Sequence, residues 1–228
     1  DSSYLLYAAV ECGSDVTAYF VKTQFQPMFE LEDAKKTAEH LDVELHIILQ
    51  NTLSDPEVRA NPANRCYLCK KNIFGSIIAK AREDKKKCVI DASNASDDPA
   101  ERPGMKALEE LGVLSPLRMC GITKPMVREL SREADLWTWN LPSNSCLATR
   151  IPTGMVLTDE NLLRAEETED ELRILGLSDF RVRTTSEGAV LETVAAQREL
   201  LENRRSDVER VLMNHFPSVI YKERVPKA

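Results

Sequence analysis

The chain has 228 residues, of which 43% are hydrophobic and 29% charged, a balance that excludes a wholly disordered, collagenous or disulfide-scaffold protein and suits one large or two unequal domains. The formal net charge of −7 repels polyanions, so a nucleic-acid partner would need a local basic patch. No stretch reaches the roughly 18 consecutive apolar residues of a membrane span. Six cysteines are too sparse for a disulfide framework and no secretory signal is recognisable, so we expect a soluble, cytoplasmic protein with free thiols.

The first two-thirds of the chain alternates short apolar runs with amphipathic stretches, a pattern typical of a parallel α/β sheet. In chain order, the pattern predicts a strand at 16–21, a helix at 31–41, a strand at 43–49, a helix at 70–85, a buried strand at 88–91, a loop at 95–103 and a helix at 123–134. Asp91 ends the buried strand and is therefore expected at the carboxyl edge of the sheet, where open α/β folds bind ligands.

A change in composition divides the chain near residues 142–154, which are mostly small and polar and are bracketed by Pro142 and Pro152. Beyond this boundary the pattern predicts a helix at 161–175, strands at 180–184 and 189–194, a helix at 197–213 and a short strand at 219–221. We therefore expect an α/β fold class, with a parallel-sheet domain over residues 1–145 and a smaller α+β domain over residues 146–228.

Residues 65–71 read RCYLCKK, a CxxC motif flanked by three cations at the start of a predicted helix. Thiols three residues apart share a helix face, and cations with a helix N-terminus favour thiolates. Cys66 and Cys69 therefore fit a redox dithiol, half of a zinc site or part of an iron–sulfur ligand set. Two packed cysteines without chemistry are the alternative. The sequence has no second CxxC or Cys/His pair at zinc-finger spacing, which disfavours structural zinc.

Cys146 lies in a polar loop near Arg150, a setting typical of a reactive or ligating thiol. Together with Cys66 and Cys69 it would supply a third ligand and leave one metal position open. The remaining cysteines lie in or beside apolar runs, and we assign them to packing: Cys12, Cys88 and Cys120.

Two polar segments are further candidates for binding. Residues 91–104, DASNASDDPAERPG, place a carboxylate at a strand end together with Asx side chains and an arginine, which suits Mg²⁺ and phosphates. An Asx-rich loop that only caps its own backbone explains the same residues. Arg181 and Arg183 alternate on a predicted strand, so both lie on one face as a fork for phosphate or carboxylate. Glu169 is a candidate partner for them, and a surface salt-bridge cluster is the alternative.

Taken together, these segments resemble one family, the PP-loop ATP-pyrophosphatases, and within it the LarE-type sulfur transferases that make the nickel-pincer nucleotide of lactate racemase. The family's phosphate loop reads SGGxDS, and the chain opens with Asp1-Ser2-Ser3, so we expect the Ser-Gly-Gly part upstream of residue 1. The resemblance implies a PP-loop fold of the adenine nucleotide alpha hydrolase type, in which backbone N–H groups of the loop cradle the ATP pyrophosphate.

The resemblance also implies a reaction. ATP adenylates a carboxylate of pyridinium-3,5-biscarboxylic acid mononucleotide and releases pyrophosphate, and sulfur then displaces AMP to leave a thiocarboxylate. In one branch of the family a single cysteine, matching Cys146, gives up its own sulfur. In another branch, cysteines matching Cys66, Cys69 and Cys146 hold a 4Fe-4S cluster that carries an extra sulfide. This sequence has all three thiols and therefore resembles the cluster-containing branch, with inorganic sulfide or another sulfur donor as partner.

Two sets of binding residues follow from the resemblance. Those implied for ATP and its Mg²⁺ are Asp1, Ser2, Ser3, Asp91, Asn94, Asp98 and Arg102. Those implied for the nucleotide substrate are Thr149, Arg150, Glu169, Arg181 and Arg183, with the arginines facing its phosphate. A homo-oligomer is expected, because family members with the single cysteine assemble as hexamers.

Two other functions stay open. A PP-loop tRNA thiolase also combines ATP, three cysteines and a 4Fe-4S cluster, although the net charge of −7 and the lack of a basic, aromatic-interleaved segment disfavour a nucleic-acid partner. A non-catalytic metal or redox module would use the CxxC alone, and cleavage of ATP to AMP and pyrophosphate would exclude it.

Overall fold

The computed structural model describes residues 1–225 and divides them into two compact units. The first unit comprises Asp1–Thr23, Met28–Val58 and Pro62–Leu141. The second comprises the residues from Pro142 onward together with two short loops from the first half of the chain, Gln24–Pro27 and Arg59–Asn61. The predicted boundary after residue 145 stays a prediction, and residues 226–228 of the predicted small domain lie outside the described residues.

A strand–helix–strand unit opens the first unit, as the apolar pattern predicts. Strand β1 (Ala18–Lys22) pairs in parallel with β2 (Leu45–Leu49), with Phe20 opposite Ile47. Helix α2 (Met28–His40) makes the crossover between them and buries Leu31, Thr37 and Ala38. Parallel strands require such a crossover, so the α/β class is confirmed at this level.

Helices make up most of the remaining first unit. They are α1 (Ser2–Glu11), α3 (Pro56–Arg59), α4 (Arg65–Glu83), α5 (Gly104–Glu110), α6 (Pro116–Met119) and α7 (Lys124–Glu133). Pro125 stands in the first turn of α7, where its missing N–H costs no hydrogen bond. The predicted helices at 70–85 and 123–134 are confirmed as α4 and α7, and α4 begins early enough to include the CxxC motif in its first two turns.

The predicted buried strand at 88–91 is wrong in extent and in burial. Within residues 1–225, this segment pairs only through a parallel bridge between Ile90 and Leu114. The Leu114 N–H donates to the Val89 carbonyl and the Asp91 N–H donates to the Leu114 carbonyl, and Ile90 remains 36% exposed. The apolar run is too short for a longer ladder, yet Asp91 still lies directly after the paired residue.

The second unit packs helices against one mixed sheet. Its elements are α8 (Asp159–Ile174), β3 (Phe180–Thr184), β4 (Ala189–Thr193), α9 (Arg198–Asn203), α10 (Arg205–His215) and β5 (Val219–Glu223). Strand β4 pairs antiparallel with β3 and parallel with β5. The core between helices and sheet contains fully buried Leu172, Val182, Leu191 and Leu212. This unit confirms the predicted α+β pattern in the C-terminal part of the chain.

The single helix predicted at 197–213 is divided in two. The backbone leaves helical geometry at Arg204, with φ −110° and ψ 15°, which ends α9 and begins α10. Asn203 precedes this position and Ser206 lies two residues after it, and both residue types favour caps and turns over helix interiors.

Candidate functional site

The CxxC motif lies at the N-terminal end of α4. Cys66 is in the first turn and exposed, whereas Cys69 is half-buried. The guanidinium of the buried Arg65 donates towards the Cys66 sulfur over 3.7 Å, and the first turn of α4 contains no acidic residue. A guanidinium and a helix N-terminus both attract negative charge, so the surroundings of Cys66 are electropositive.

Lys70, the residue after the motif, connects α4 to the Asp91 loop. Its Nζ lies 3.8 Å from Oδ2 of Asp91. The Ser93 hydroxyl donates to the same oxygen, and the Ser115 hydroxyl donates to Oδ1. Burial lowers the pKa of Lys70 although the Asp91 carboxylate opposes that shift. Gly104 makes room for this contact, because a Cβ there would lie 2.8 Å from the Cδ of Lys70. The first unit therefore brings together two features that lie apart in the sequence.

The Asx side chains after Asp91 mostly bind their own loop. The buried Asn94 accepts from the Ser96 N–H, and Asp97 accepts from the Asn94 N–H over 3.0 Å. Asp97 also forms an ion pair with Arg102 at 2.7 Å, and the exposed Asp98 caps the Ala100 N–H. The backbone-capping interpretation thus accounts for one oxygen on each Asx residue. The carboxylate of Asp98 is the most solvent-accessible of the predicted Mg²⁺ oxygens.

Lys124 connects the N-terminal residues to the same loop, and sequence reasoning missed it. Its Nζ lies 3.0 Å from the Asp1 carboxylate, and its backbone N–H donates to the Ser96 hydroxyl. Helix α1 begins directly after Asp1, at Ser2. Burial lowers the pKa of Lys124, and the nearby Arg128 lowers it further. A lysine in the first turn of α7 opposes the helix dipole, which is the signal that would have identified it.

In the second unit, Cys146 precedes a 3-10 turn, Leu147–Arg150, and is half-buried. Arg150 in this turn is buried and forms a two-pronged ion pair with the equally buried Glu169 of α8, at 2.7 and 3.0 Å. Glu169 also accepts from Arg173 and from the Val182 N–H. The predicted pairing of Glu169 with the two β3 arginines is therefore replaced by hydrogen bonds to these groups.

Arg181 and Arg183 lie on one face of β3, but they have different surroundings. Arg183 donates to the Glu192 carboxylate over 2.7 Å and to the Thr149 carbonyl over 2.6 Å. The half-buried Arg181 forms no hydrogen bond or ion pair with any residue in the described range 1–225. Burial lowers its pKa, and the charges of Arg150 and Arg183 lower it further. An anion bound here would offset the unfavourable burial of this charge and its repulsion by the neighbouring arginines.

The packing role predicted for the other three cysteines is wrong. Cys12, Cys88 and Cys120 are all exposed. Cys12 and Cys120 follow the last turns of α1 and α6, and Cys88 precedes the short bridge at Ile90. Apolar neighbours in the sequence do not bury a residue that lies at the end of an element.

The three candidate cysteine ligands do not form a metal-binding group among the described residues. Cys66 and Cys69 belong to the first unit and Cys146 to the second. Over residues 1–225, no group of three or more His, Cys, Asp or Glu side chains is arranged to hold a metal ion. In the same range, no helix combines the length and the apolar character that crossing a membrane requires.

Known proteins similar to this chain include one with a named activity, although no family model matches the sequence. An uncharacterized protein of Synechocystis sp. is 36% identical over 163 residues, which cover 72% of this chain but only 61% of that protein. An uncharacterized protein of Methanocaldococcus jannaschii is 29% identical over 191 residues, covering 83% of this chain and 73% of that protein.

The pyridinium-3,5-bisthiocarboxylic acid mononucleotide synthase of Lactiplantibacillus plantarum is 30% identical over 199 residues, which cover 86% of this chain and 72% of the synthase. This similarity includes both compact units, since 86% of the chain exceeds the share of either one. The chain therefore belongs to the LarE-type family of this synthase.

Proposed function

We propose that the chain is an ATP-dependent sulfur transferase of nickel-pincer nucleotide biosynthesis, acting in the cytoplasm as a homo-oligomer. Its substrate is pyridinium-3,5-biscarboxylic acid mononucleotide, and its product carries a thiocarboxylate. The similarity to the Lactiplantibacillus plantarum synthase over 86% of the chain supports the reaction class. The observation that carries the substrate assignment is the half-buried Arg181, whose guanidinium lies beside two other arginines.

The chemistry requires activation, because a carboxylate resists nucleophiles. A carboxylate oxygen of the substrate attacks the α-phosphorus of ATP, the bond to the β-phosphate oxygen breaks, and pyrophosphate leaves. A sulfur nucleophile then attacks the acyl carbon, the bond to the AMP oxygen breaks, and AMP leaves with that oxygen. Adenylation converts the carboxylate oxygen, a poor leaving group, into part of AMP, a good one, so two easier barriers replace one difficult barrier.

The first unit binds ATP. The N-terminal end of α1, with Asp1, Ser2 and Ser3, holds the phosphates, because helix N-termini and adjacent N–H groups attract anions. The Asp91 loop supplies oxygen atoms suited to Mg²⁺ through Asp91, Asn94 and Asp98, and Arg102 supplies a cation. The proximity of Lys124 to Asp1 supports a common site for these two segments, since 3.0 Å separates their charged atoms. Lys124 and Lys70 add positive charge beside the phosphates.

The second unit binds the nucleotide substrate. Arg181 pairs with its phosphate, because a desolvated guanidinium gains most from a charged, two-pronged partner. Arg183 lies on the same face of β3 and adds a second positive charge near the phosphate. Thr149 adds a hydroxyl to the substrate-binding residues. The buried Arg150–Glu169 pair lies beside these groups: Arg150 donates to the Thr149 hydroxyl, and the charges of Arg150 and Glu169 act on Arg181.

The sulfur chemistry is assigned to Cys66, Cys69 and Cys146, which hold a 4Fe-4S cluster in this proposal. The CxxC on one turn of α4 and the family resemblance support this assignment. The described residues do not form a complete ligand group. When bound, such a cluster supplies an iron on which an extra sulfide from inorganic sulfide or another donor can be carried.

The variant Arg181→Ala tests the substrate assignment. We expect Arg181→Ala to weaken binding of the pyridinium biscarboxylate mononucleotide about 10- to 100-fold, the loss of a charged hydrogen bond, and to leave ATP binding unchanged. Isothermal titration with each nucleotide measures both affinities. Arg210→Ala is the matched control, because Arg210 lies in the same unit, is exposed and pairs with the partly exposed Asp207 of its own helix. Equal weakening for both nucleotides in Arg181→Ala would contradict the assignment.

A further inference from the structure

The side-chain nitrogens of Arg150 all donate to acceptors within the second unit. Its side chain is 3% exposed, and its Nε and Nη2 donate to the two oxygens of Glu169. Its Nη1 donates to the Ser145 carbonyl at 3.0 Å, the Ser145 hydroxyl at 2.7 Å and the Thr149 hydroxyl at 3.0 Å. The guanidinium therefore has a carboxylate along one edge and the loop that carries Cys146 along the other.

The loop around Cys146 is fixed by these same atoms. The Thr149 hydroxyl donates to the Cys146 carbonyl over 2.8 Å and lies 3.0 Å from the Ser145 hydroxyl. The Thr149 N–H also donates to the Cys146 carbonyl, and Arg183 donates to the Thr149 carbonyl. Arg150 thus holds the residue before Cys146 directly and holds the Cys146 carbonyl through Thr149.

The other end of this network is anchored in the core of the second unit. Glu169 is fully buried on α8, and its Oε1 accepts from the Val182 N–H of β3 over 2.9 Å. A buried carboxylate and a buried guanidinium tolerate desolvation only as a pair with satisfied hydrogen bonds. Helix α8 and strand β3 therefore determine where the guanidinium lies, and the guanidinium determines where the Cys146 loop lies.

We propose that Arg150 is a positioning residue for Cys146 and does not bind the nucleotide phosphate. It presents the Cys146 thiol in one orientation by connecting Ser145 and Thr149 to Glu169. This inference rests on the proposed function for the role of the thiol, and it changes the role that the family resemblance gives to Arg150. The phosphate then pairs with Arg181, whose donors are not used within the described residues.

The test compares Arg150→Lys, Ser145→Ala and the control Arg210→Gln in the full chain. Because loss of a buried arginine can prevent folding, Ser145→Ala provides the second variant. It removes one acceptor and keeps the Arg150–Glu169 pair. One readout is the rate of Cys146 alkylation by iodoacetamide against pH, assigned by peptide mass mapping, with Cys88 as internal reference. The other is single-turnover thiocarboxylate formation with the dissociation constant of the pyridinium nucleotide.

In both variants we expect the Cys146 alkylation rate to change about threefold or more, because the thiol is no longer held in one orientation. Cys88 and the control keep their rates. The single-turnover rate falls about tenfold while the nucleotide dissociation constant stays within about twofold, since a small misplacement of a reacting group is costly. Altered alkylation without any sulfur transfer in the parent protein would refute the proposed function and still support the positioning role. Unchanged Cys146 alkylation, or tenfold weaker nucleotide binding in Arg150→Lys, would overturn the inference.

Discussion

Cys66 and Cys69 lie three residues apart at the start of one helix, and this local arrangement gives a prediction at the scale of single residues. If they and Cys146 hold a 4Fe-4S cluster, each of Cys66→Ala, Cys69→Ala and Cys146→Ala should abolish it, because a cluster of this type normally needs all its thiolates. Iron and acid-labile sulfide are counted after anaerobic reconstitution. We expect about four irons per chain in the parent protein and none in these variants.

The exposed Cys88 provides the control, since Cys88→Ala should keep the full iron content. Full iron in any one of the three variants would remove that residue from the ligand set. A parent protein without iron would return Cys146 to the role of a sacrificial sulfur donor and leave Cys66 and Cys69 as a structural or redox pair.

Single residues were predictable where the signal is local. The CxxC spacing and the alternation of Arg181 and Arg183 follow from helix and strand geometry alone, so the sequence places these pairs correctly. The partners of Lys124 and Arg150 do not follow, because Asp1 and Glu169 are separated from them by 123 and 19 residues. Tertiary folding brings such partners together, and a single sequence contains no rule for choosing among the available carboxylates.

At the scale of elements, a carboxylate joins two helices of the first unit. Asp55 accepts from the Glu57 and Val58 N–H groups at the start of α3, and from the Asn72 amide of α4 over 2.7 Å. The Asn72 hydrogen bond holds the pKa of Asp55 below its ordinary value of 3.8. Because the folded-state pKa is lowered, the stabilisation is complete above about pH 4 and is lost as the pH falls through the folded-state pKa.

Asn72→Ala should therefore lower the free energy of unfolding at pH 7 by about 1 kcal/mol, the value of one hydrogen bond to a charged group on a partly exposed site. The difference from the parent should shrink as the pH falls below the ordinary pKa of Asp55. Urea unfolding at pH 7 and near pH 3 measures both values. Ser76→Ala is the matched control on the same helix, because its partner Gln50 does not titrate. An equal loss for Asn72→Ala at both pH values would contradict the proposed role of Asp55.

Elements with a strong periodic pattern were predictable, and elements decided by tertiary context were not. The apolar spacing of α2, α8 and the β3–β4 hairpin identifies them because a whole stripe or face of each is buried. The run at 88–91 has strand composition, but its extent depends on how far Leu114 and its neighbours continue alongside it. The break at Arg204 is a local change of backbone angles that short polar residues permit without requiring it.

At the scale of the whole molecule, the second unit is built from segments far apart in the chain. The Leu147 N–H donates to the Phe25 carbonyl, the Gly154 N–H to the Asn61 carbonyl and the Leu157 N–H to the Arg59 carbonyl. The Asn61 side chain is fully buried and donates to the Pro152 carbonyl over 2.8 Å. Nothing in the composition of these loops distinguishes them from ordinary connections, so sequence reasoning gave the second unit only C-terminal residues.

Phe25 gives the corresponding prediction, because it lies between β1 and α2 in the sequence, belongs to the second unit and is fully buried. Phe25→Ala should destabilise that unit by about 3–5 kcal/mol, the usual cost of emptying a buried phenyl site. Hydrogen exchange with mass spectrometry should then show faster exchange at the amides of residues 147–157, where the Phe25 carbonyl binds the Leu147 N–H. The matched control is Val127→Ala in α7, a buried position of the first unit that is 2% exposed. It should accelerate exchange around α7, and if both variants affected the same peptides, the division of the core into two units would be wrong.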